Sequence, residues 1–178
     1  MKMTYTNKQK KILKGFTLVE VLVYIAVFTL ISFALVQTTI SVNKAYLSIK
    51  SNQMLEISAS DSLNRISNDI RNVRSILIDS SSIFDVSPGR LTLSVKDNLG
   101  KDKIVEYYVD GFNMLQVKEN GMSVGKLTSS LTPVSNLVFK KIDTGSSSAI
   151  KIDMTLQAFK SGVTTTESFY STYILRKF

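Results

Sequence analysis

The sequence contains no cysteine and no histidine, and only two prolines among 178 residues. Without cysteine no disulfide framework is expected. Without histidine the chain lacks the usual general base and the commonest metal ligand. No Gly-rich phosphate-binding loop occurs either. These absences argue against an enzyme, and we expect neither a metal nor another cofactor.

Proline is absent before Pro88, so no strong helix breaker interrupts the first part of the chain. An apolar run there, Phe16–Val36, carries one charge, Glu20. A bilayer core about 30 Å thick needs roughly 20 helical residues, so this run is long enough to span it. The run exceeds the roughly 7–15 residues of a cleaved signal peptide's apolar region, and we expect the anchor to stay in the protein.

Basic charge is concentrated in the stretch before the apolar run, residues 1–15, which we call the leader. It has no acidic residue and five lysines: Lys2, Lys8, Lys10, Lys11 and Lys14. Elsewhere the charges nearly balance, so the net charge of +8 does not indicate nucleic-acid binding. A basic flank is retained in the cytoplasm. We therefore predict a single-pass protein of the cytoplasmic membrane whose C-terminal domain lies in the periplasm or at the cell surface.

Helical periodicity continues beyond the apolar run. Apolar residues recur at spacings of three and four: Leu63, Ile66, Ile70, Val73 and Leu77. This spacing marks one helical face. We predict one helix from about Phe16 to about Leu77, whose amphipathic part (residues 37–78) packs through Leu63, Ile66, Ile70 and Val73. On the opposite face Asp61, Arg65 and Asp69 can pair at i, i+4 spacing.

Residues 79–178 are typical of a β domain. Short runs rich in β-branched and aromatic residues alternate with turn sequences such as Asp110-Gly111. The predicted strands are Leu91–Lys96, Ile104–Val109, Phe112–Lys118, Val134–Ile142, Ile150–Phe159 and Val163–Leu175. Together with the helix they predict an α+β fold in which a long N-terminal helix packs on an antiparallel β-sheet.

The segment Lys14–Glu20, which reads KGFTLVE, resembles the processing site of type IV prepilins. It combines a basic leader, a glycine at the membrane boundary, a following aromatic residue and an acid within the apolar helix. The resemblance implies that a prepilin peptidase cuts after Gly15 and N-methylates Phe16. It also implies the pilin-like fold, and pairing of Glu20 with the Phe16 amine of an adjacent subunit, which sets the axial register.

The chemistry of Glu20 favours the same interpretation. A charged side chain at the bilayer centre costs about 2.5–3.5 kcal/mol on insertion scales, so an offsetting partner is expected. Fixing register is the best-attested role of such a buried charge. Two simpler interpretations stay open: Gly15 as an ordinary boundary glycine, and Glu20 as an interfacial acid that reaches the headgroups.

A second resemblance lies further along the chain. The helical segment Leu63–Arg71 and the run Val134–Phe139 are similar to parts of J-type minor pseudopilins of type II secretion systems. Many major pilins have a proline in the membrane helix and a C-terminal cysteine pair, and this chain has neither. The resemblance therefore implies a minor structural subunit that assembles into a filament.

The partners implied are the prepilin peptidase, other pilin-like subunits and an inner-membrane assembly platform driven by a cytoplasmic ATPase. The alternatives are a minor pilin of a competence pilus, which alone would bring the chain to DNA, and a binding protein held by an uncleaved signal anchor. The predicted organisation is a leader removed on processing (1–15), a membrane and filament-core helix (16–36), its amphipathic continuation (37–78) and a β domain (79–178).

Overall fold

The computed structural model describes residues 15–76, 81–96, 100–143, 147–160 and 162–175. Leader residues 1–14, with their five lysines, and Leu77 lie outside this set. The chain divides into two compact units, Met1–Asn43 and Lys44–Phe178. One helix and eight strands follow in order: α1 (Leu18–Arg71), β1 (Val73–Ile76), β2 (Leu91–Lys96), β3 (Asp102–Val109), β4 (Leu115–Glu119), β5 (Met122–Lys126), β6 (Val134–Asp143), β7 (Ser148–Lys160) and β8 (Val163–Ile174).

In the described part of the first unit, α1 presents apolar side chains to solvent all round. The large ones between Phe16 and Val42 are 45% to 77% exposed. A helix that is apolar on every side belongs in a core or in lipid. The described residues of this unit bury none of this apolar surface among themselves. These side chains therefore need lipid or another protein to cover them.

In the second unit α1 has one buried face. Six residues on that face recur at three- and four-residue spacing: Ser51, Leu55, Ala59, Ser62, Ile66 and Ile70; Ser67, next to Ile66, is buried with them. Three of these seven buried residues are serines, whose small side chains let the strands approach the helix. The helix is unbroken through the polar stretch near Ser51, because no proline or glycine occurs there to interrupt it.

The predicted continuation of the helix to Leu77 is wrong at its end. α1 ends at Arg71, and Val73–Ile76 form β1. β1 pairs antiparallel with β2, where Val73 lies opposite Val95, and Val73 is only 4% exposed. Val73 therefore contributes to the core from a strand. A β-branched residue at a free sheet edge gains ladder hydrogen bonds and burial, and these override the helical spacing.

Two antiparallel sheets build the rest of the second unit, where a single sheet was predicted. One has five strands in the order β1-β2-β3-β4-β5, and the other has three in the order β6-β7-β8. In each sheet, strands that follow one another in the chain are neighbours; residues 77–90 separate β1 from β2, and the other connections are shorter. The α+β fold class, a long N-terminal helix on antiparallel sheets, is confirmed.

The six predicted strands are present: β2 has the predicted bounds, and the bounds of the other five differ by one to three residues. The largest difference is at β4, which begins at Leu115 and not at Phe112. The Asp110 carboxylate accepts hydrogen bonds from the backbone N–H groups of Phe112 and Met114, each at 2.9 Å, and holds these residues in a turn. Strand β5 was not predicted, since MSVGK lacks a clear alternation.

Between the sheets and the helix lies one core. Alternate residues of β7 face it, so that Ile150, Ile152, Met154 and Leu156 are at most 1% exposed, as the alternation predicts. The segment before β2 joins the two sheets: Asp85 N–H donates to Phe139 O at 2.9 Å and Gly89 N–H to Leu137 O at 2.7 Å. A Cβ on Gly89 would lie 3.0 Å from the Phe139 ring, so this close approach requires glycine.

Candidate functional site

The predicted cleavage site lies shortly before the start of α1. Gly15, Phe16 and Thr17 are non-helical, and α1 begins at Leu18. The Phe16 side chain is 74% exposed, and a Cβ built on Gly15 meets no atom within 4 Å. No other part of the described chain covers the Gly15–Phe16 bond. Packing among the described residues therefore does not require glycine at position 15.

Thr17 caps the helix that carries the site. The Glu20 backbone N–H donates to Thr17 Oγ1 at 3.2 Å, and the Val21 N–H donates to Thr17 O at 3.2 Å. Thr17-x-x-Glu20 is the spacing of a capping box, which satisfies N–H groups that the first turn leaves unpaired. The helix start is thus fixed by Thr17, three residues before the acidic side chain of Glu20.

Tyr24 links the two residues of the predicted register contact. Its hydroxyl donates to Glu20 Oε1 at 3.2 Å. Its ring meets the Phe16 ring edge-on, with centroids 6.2 Å apart and an interplanar angle of 77°. Glu20 is half-buried between these neighbours. Sequence reasoning missed Thr17 and Tyr24, although the capping-box spacing and the i, i+4 spacing of Glu20 and Tyr24 could have indicated them.

The helix behind the site is suited to a membrane. Among the described residues one helix, Leu18–Arg71, is long and apolar enough to cross a bilayer, and its apolar window is not buried within the protein. The only charge within the predicted anchor Phe16–Val36 is Glu20, close to its beginning. An ionisable side chain in such a segment is a functional-site hypothesis by default.

The four predicted packing residues lie in the second unit. Ile66 and Ile70 are fully buried on α1, Val73 is buried on β1, and Leu63 is partly buried against the same core. The backbone carbonyl of Leu63 also accepts a hydrogen bond from the Tyr173 hydroxyl at 3.3 Å. These residues attach the end of α1 to both sheets.

A polar network attaches α1 to the five-stranded sheet. Tyr107, whose ring is fully buried, donates its hydroxyl to Asp69 Oδ2 at 2.5 Å. Arg65 lies 3.6 Å from the same Asp69 oxygen and 2.7 Å from Glu119 Oε1, which Lys103 also contacts at 2.9 Å. Burial, followed by the neighbouring Asp69 carboxylate, raises the pKa of Tyr107 well above its ordinary value. The network therefore keeps the tyrosine protonated above the pH at which an exposed tyrosine ionises.

The described ranges contain no group of three or more aspartates, glutamates, histidines or cysteines placed to hold a metal ion. Ion pairs among these residues lie within one element or link neighbouring elements, as Arg90, next to β2, with Glu106 on β3 at 3.3 Å. The candidate functional site is therefore the start of α1, with the side chains of Thr17, Glu20 and Tyr24.

Comparison with known proteins identifies the same segment. Residues 13–36 match the family model described as the prokaryotic N-terminal methylation motif. No curated protein and no solved structure matches the chain. Over these residues the chain is similar to prepilin N-termini, which supports a membrane-anchored, type IV pilin-like subunit that is processed by a prepilin peptidase.

Proposed function

We propose that this chain is a minor pilin-like subunit, a minor pseudopilin, of a type II secretion or type IV pilus-like filament. A prepilin peptidase removes Met1–Gly15 and N-methylates Phe16, and α1 then serves first as membrane anchor and later as part of the filament core. One observation carries this proposal: the methylation motif at 13–36 coincides with an accessible glycine immediately before a capped, apolar helix.

The role proposed for Glu20 follows from its position in the first turn. Cleavage after Gly15 creates an α-ammonium on Phe16, and a Glu20 carboxylate of the adjacent subunit neutralises it. Such a charge-assisted pair is stronger in an apolar environment than in water. The Tyr24 hydroxyl, 3.2 Å from Glu20 Oε1, orients the carboxylate and satisfies part of its hydrogen-bonding capacity before a neighbour arrives.

The second unit also offers a surface for other helices. Tyr46, Ile49 and Ile57 lie on α1 and are 58% to 62% exposed, while Leu55 and Ala59 face the core. Tyr46 and Ile57 are eleven residues apart, close to three full turns, so they share one side of the helix. We assign this side to packing against other pilin-like subunits in the filament.

The proposed organisation follows the sequence-based one with one change. The leader ends at Gly15, the membrane helix covers 16–36, and the amphipathic continuation ends at Arg71, where the structure ends α1. The remaining residues form the β domain outside the cytoplasm. The J-type assignment is supported by the similarity of Leu63–Arg71 and by the absence of proline from α1. It places the protein in a complex that initiates filament assembly.

Processing is tested by intact mass. Protein expressed with a prepilin peptidase should lose the mass of residues 1–15 and gain that of one methyl group. Gly15→Leu should abolish both changes. Gly111→Leu is the matched control, because Gly111 also has no atom within 4 Å of an added Cβ and lies in an exposed turn. Full-length chains in assembled filaments would contradict the proposal.

The minor role has its own test. Quantitative mass spectrometry of sheared filaments should find this chain in a small ratio to the main subunit. Its extracytoplasmic domain should also bind that of at least one other minor subunit. If the chain dominates the filament, the J-type assignment fails, while processing at Gly15 and assembly through α1 are unaffected.

A further inference from the structure

Strand β8 runs along α1 in the second unit. At one end of this strand the Tyr173 hydroxyl donates to the Leu63 carbonyl at 3.3 Å. At the other end is the β7–β8 turn, where Lys160 pairs with Val163 and lies beside Lys50 of α1. From Tyr173 back to Val163 the strand covers about 33 Å. That is more than the roughly 20 Å of α1 between Leu63 and Lys50, so the turn lies where the chain enters the second unit.

Three lysines lie at this end of the second unit. Lys44 is the first charged residue after the predicted anchor, and both Lys44 and Lys50 are exposed on α1. The third is Lys160. Among the described residues none of the three forms an ion pair with a carboxylate. The nearest acids that follow them in the sequence are Glu56 and Glu167. This end of the β domain therefore carries an excess of positive charge.

Two of these lysines form a contact between like charges. Desolvation, followed by the neighbouring Lys50 ammonium, lowers the pKa of Lys160. Like charges that are held together repel, and no described carboxylate pairs with either of them. An anionic group that contacts both ammonium groups would replace this repulsion by two attractions. The pair is therefore suited to binding an anion such as a phosphate group.

An apolar side chain stands at the same turn. Phe159 is 68% exposed, and the alternation of β7 directs it to the opposite face of the sheet from Lys160. Only a surface that extends across the tip of the hairpin can contact both side chains. Segments that lie at a membrane interface combine phenylalanine with lysine, because the ring enters the acyl boundary while the ammonium groups stay among the phosphates. A free phosphate ion would leave Phe159 exposed.

We propose that the β7–β8 turn and the adjoining lysines of α1 rest on the anionic outer surface of the cytoplasmic membrane while the chain is anchored there. Phe159 enters the interface, and three lysines lie among the headgroup phosphates: Lys44, Lys50 and Lys160. This attraction extends over about one Debye length, roughly 10 Å at 0.1 M salt. The contact holds the β domain in one orientation before assembly and is lost when α1 leaves the bilayer. The inference rests on the membrane anchor of the proposed function, but not on cleavage at Gly15.

Quenching of a fluorescent label by lipid headgroups tests this contact in the full-length chain. The label is attached through Thr164→Cys, next to the turn, or through Thr172→Cys, near the far end of the same strand. Both positions are exposed, and the natural sequence has no cysteine that would react as well. The labelled chains are reconstituted in vesicles that carry a nitroxide on part of their headgroups. The vesicles consist of phosphatidylcholine alone, or contain about one third phosphatidylglycerol as the anionic lipid.

The label at position 164 should be quenched at least about threefold more strongly in the anionic vesicles than in the neutral ones. This difference should vanish near 1 M salt, where the Debye length is only about 3 Å. The label at position 172 should be quenched weakly in both kinds of vesicle, because it lies roughly 26 Å further along β8.

Charge and ring are tested by separate variants. Lys50→Gln combined with Lys160→Gln should lower the quenching at position 164 to its level in neutral vesicles. This change removes a repulsion within the protein, so it does not oppose folding. Lys96→Gln combined with Lys126→Gln is the matched control. It removes the same charge from exposed lysines of the five-stranded sheet, and it should retain full quenching. Phe159→Ser should lower the quenching at least about twofold.

Each result has a defined consequence. Equal quenching at position 164 in the two kinds of vesicle, full quenching in the Lys50/Lys160 variant or in Phe159→Ser, or loss of quenching in the control variant overturns the proposal. Insertion is measured in the same samples as resistance to carbonate extraction. A chain that inserts but is not quenched overturns this inference alone, whereas a chain that fails to insert contradicts the membrane anchor of the proposed function as well.

Discussion

The two units use the same apolar residue types in opposite ways. In the first unit the large apolar side chains stay largely exposed, whereas in the second Leu55, Ile66 and Ile70 on the same helix are fully buried. Burial of one such side chain stabilises a fold by about 1.5–3 kcal/mol. The second unit gains this within its own chain. The first unit can gain it only from lipid or from other subunits.

This contrast separates two kinds of information in the sequence. The sequence motif of the first unit lies within one span, residues 13–36. The contacts described there join residues that are at most eight positions apart in the sequence. The second unit depends on contacts between distant segments, such as Tyr107 with Asp69 and Tyr173 with Leu63. Substitutions in the first unit should therefore change assembly, and those in the second should change folding.

Ile70→Asp should have the largest effect. It places a charge in a site that is fully buried between α1 and the sheets, and we expect a loss of about 4 kcal/mol or more in the free energy of unfolding. A soluble fragment beginning at Thr38 should show one cooperative urea transition, which the variant loses. Measurements at a fixed protein concentration exclude effects of association.

Ile57→Asp is the matched control for this variant. Ile57 lies on the same helix but is 62% exposed, so the same change should cost at most about 1 kcal/mol. Equal destabilisation by the two substitutions would mean that Ile70 is not more deeply buried than Ile57, which contradicts the packing of α1 on the sheets.

Glu20→Leu should act on assembly without affecting the folding of the second unit. Removing the only charge of the anchor eases membrane insertion, by less than the roughly 3 kcal/mol expected at the bilayer centre. Loss of the pair with the Phe16 amine should nevertheless lower incorporation into filaments by roughly 30-fold, equivalent to about 2 kcal/mol. Quantitative immunoblotting of the filament-bound and membrane-bound fractions gives the incorporated fraction of each protein, and the variant is compared with the natural protein.

Glu56→Leu provides the comparison for Glu20→Leu, since Glu56 is an exposed acid on α1 in the second unit. It should assemble like the natural protein. If Glu20→Leu assembles equally well, the register pairing is wrong for this chain, even if processing at Gly15 is normal.

The sequence predicts the parts of this fold that local chemistry determines. Strand β2 has the predicted bounds, Leu91–Lys96, because its alternation ends at a turn sequence. The α+β class follows from the spacing of apolar residues, which changes from three or four residues in the helix to alternation in the strands. The proposed cleavage site can be predicted for the same reason, since the glycine, the capping threonine and the acid lie within six residues of one another.

Contacts between distant segments explain what the sequence does not predict. Val73 fits the helical spacing, yet β2 offers it a partner, Val95, that no local pattern indicates. The division of the strands between two sheets depends on the Asp85–Gly89 segment, which lies against β6 where another strand would otherwise pair. Tyr24 was missed because it resembles any other aromatic residue of an apolar helix until its hydroxyl is placed on Glu20.

Tyr107→Phe should have a smaller effect than Ile70→Asp, and it concerns folding alone. The change keeps the buried ring but removes the hydroxyl that donates to Asp69, and a hydrogen bond to a charged group contributes about 1.5–3 kcal/mol. Tyr108→Phe is the control. The Tyr108 hydroxyl makes only a 3.4 Å contact with Gln116 Oε1, so its loss should cost less than about 0.5 kcal/mol.

The pH dependence of the Tyr107→Phe effect tests its cause. Burial and Asp69 raise the pKa of Tyr107 in the folded protein above its ordinary value of about 10. Above about pH 10 the unfolded chain therefore loses this proton while the folded chain keeps it, so stability is complete below that pH and declines above it. Tyr107→Phe lacks this proton. The difference in unfolding free energy between the natural fragment and the variant should thus be constant up to about pH 9 and shrink by about pH 11. A difference that stays constant across this range would show that the hydroxyl is not held protonated by burial and the Asp69 carboxylate.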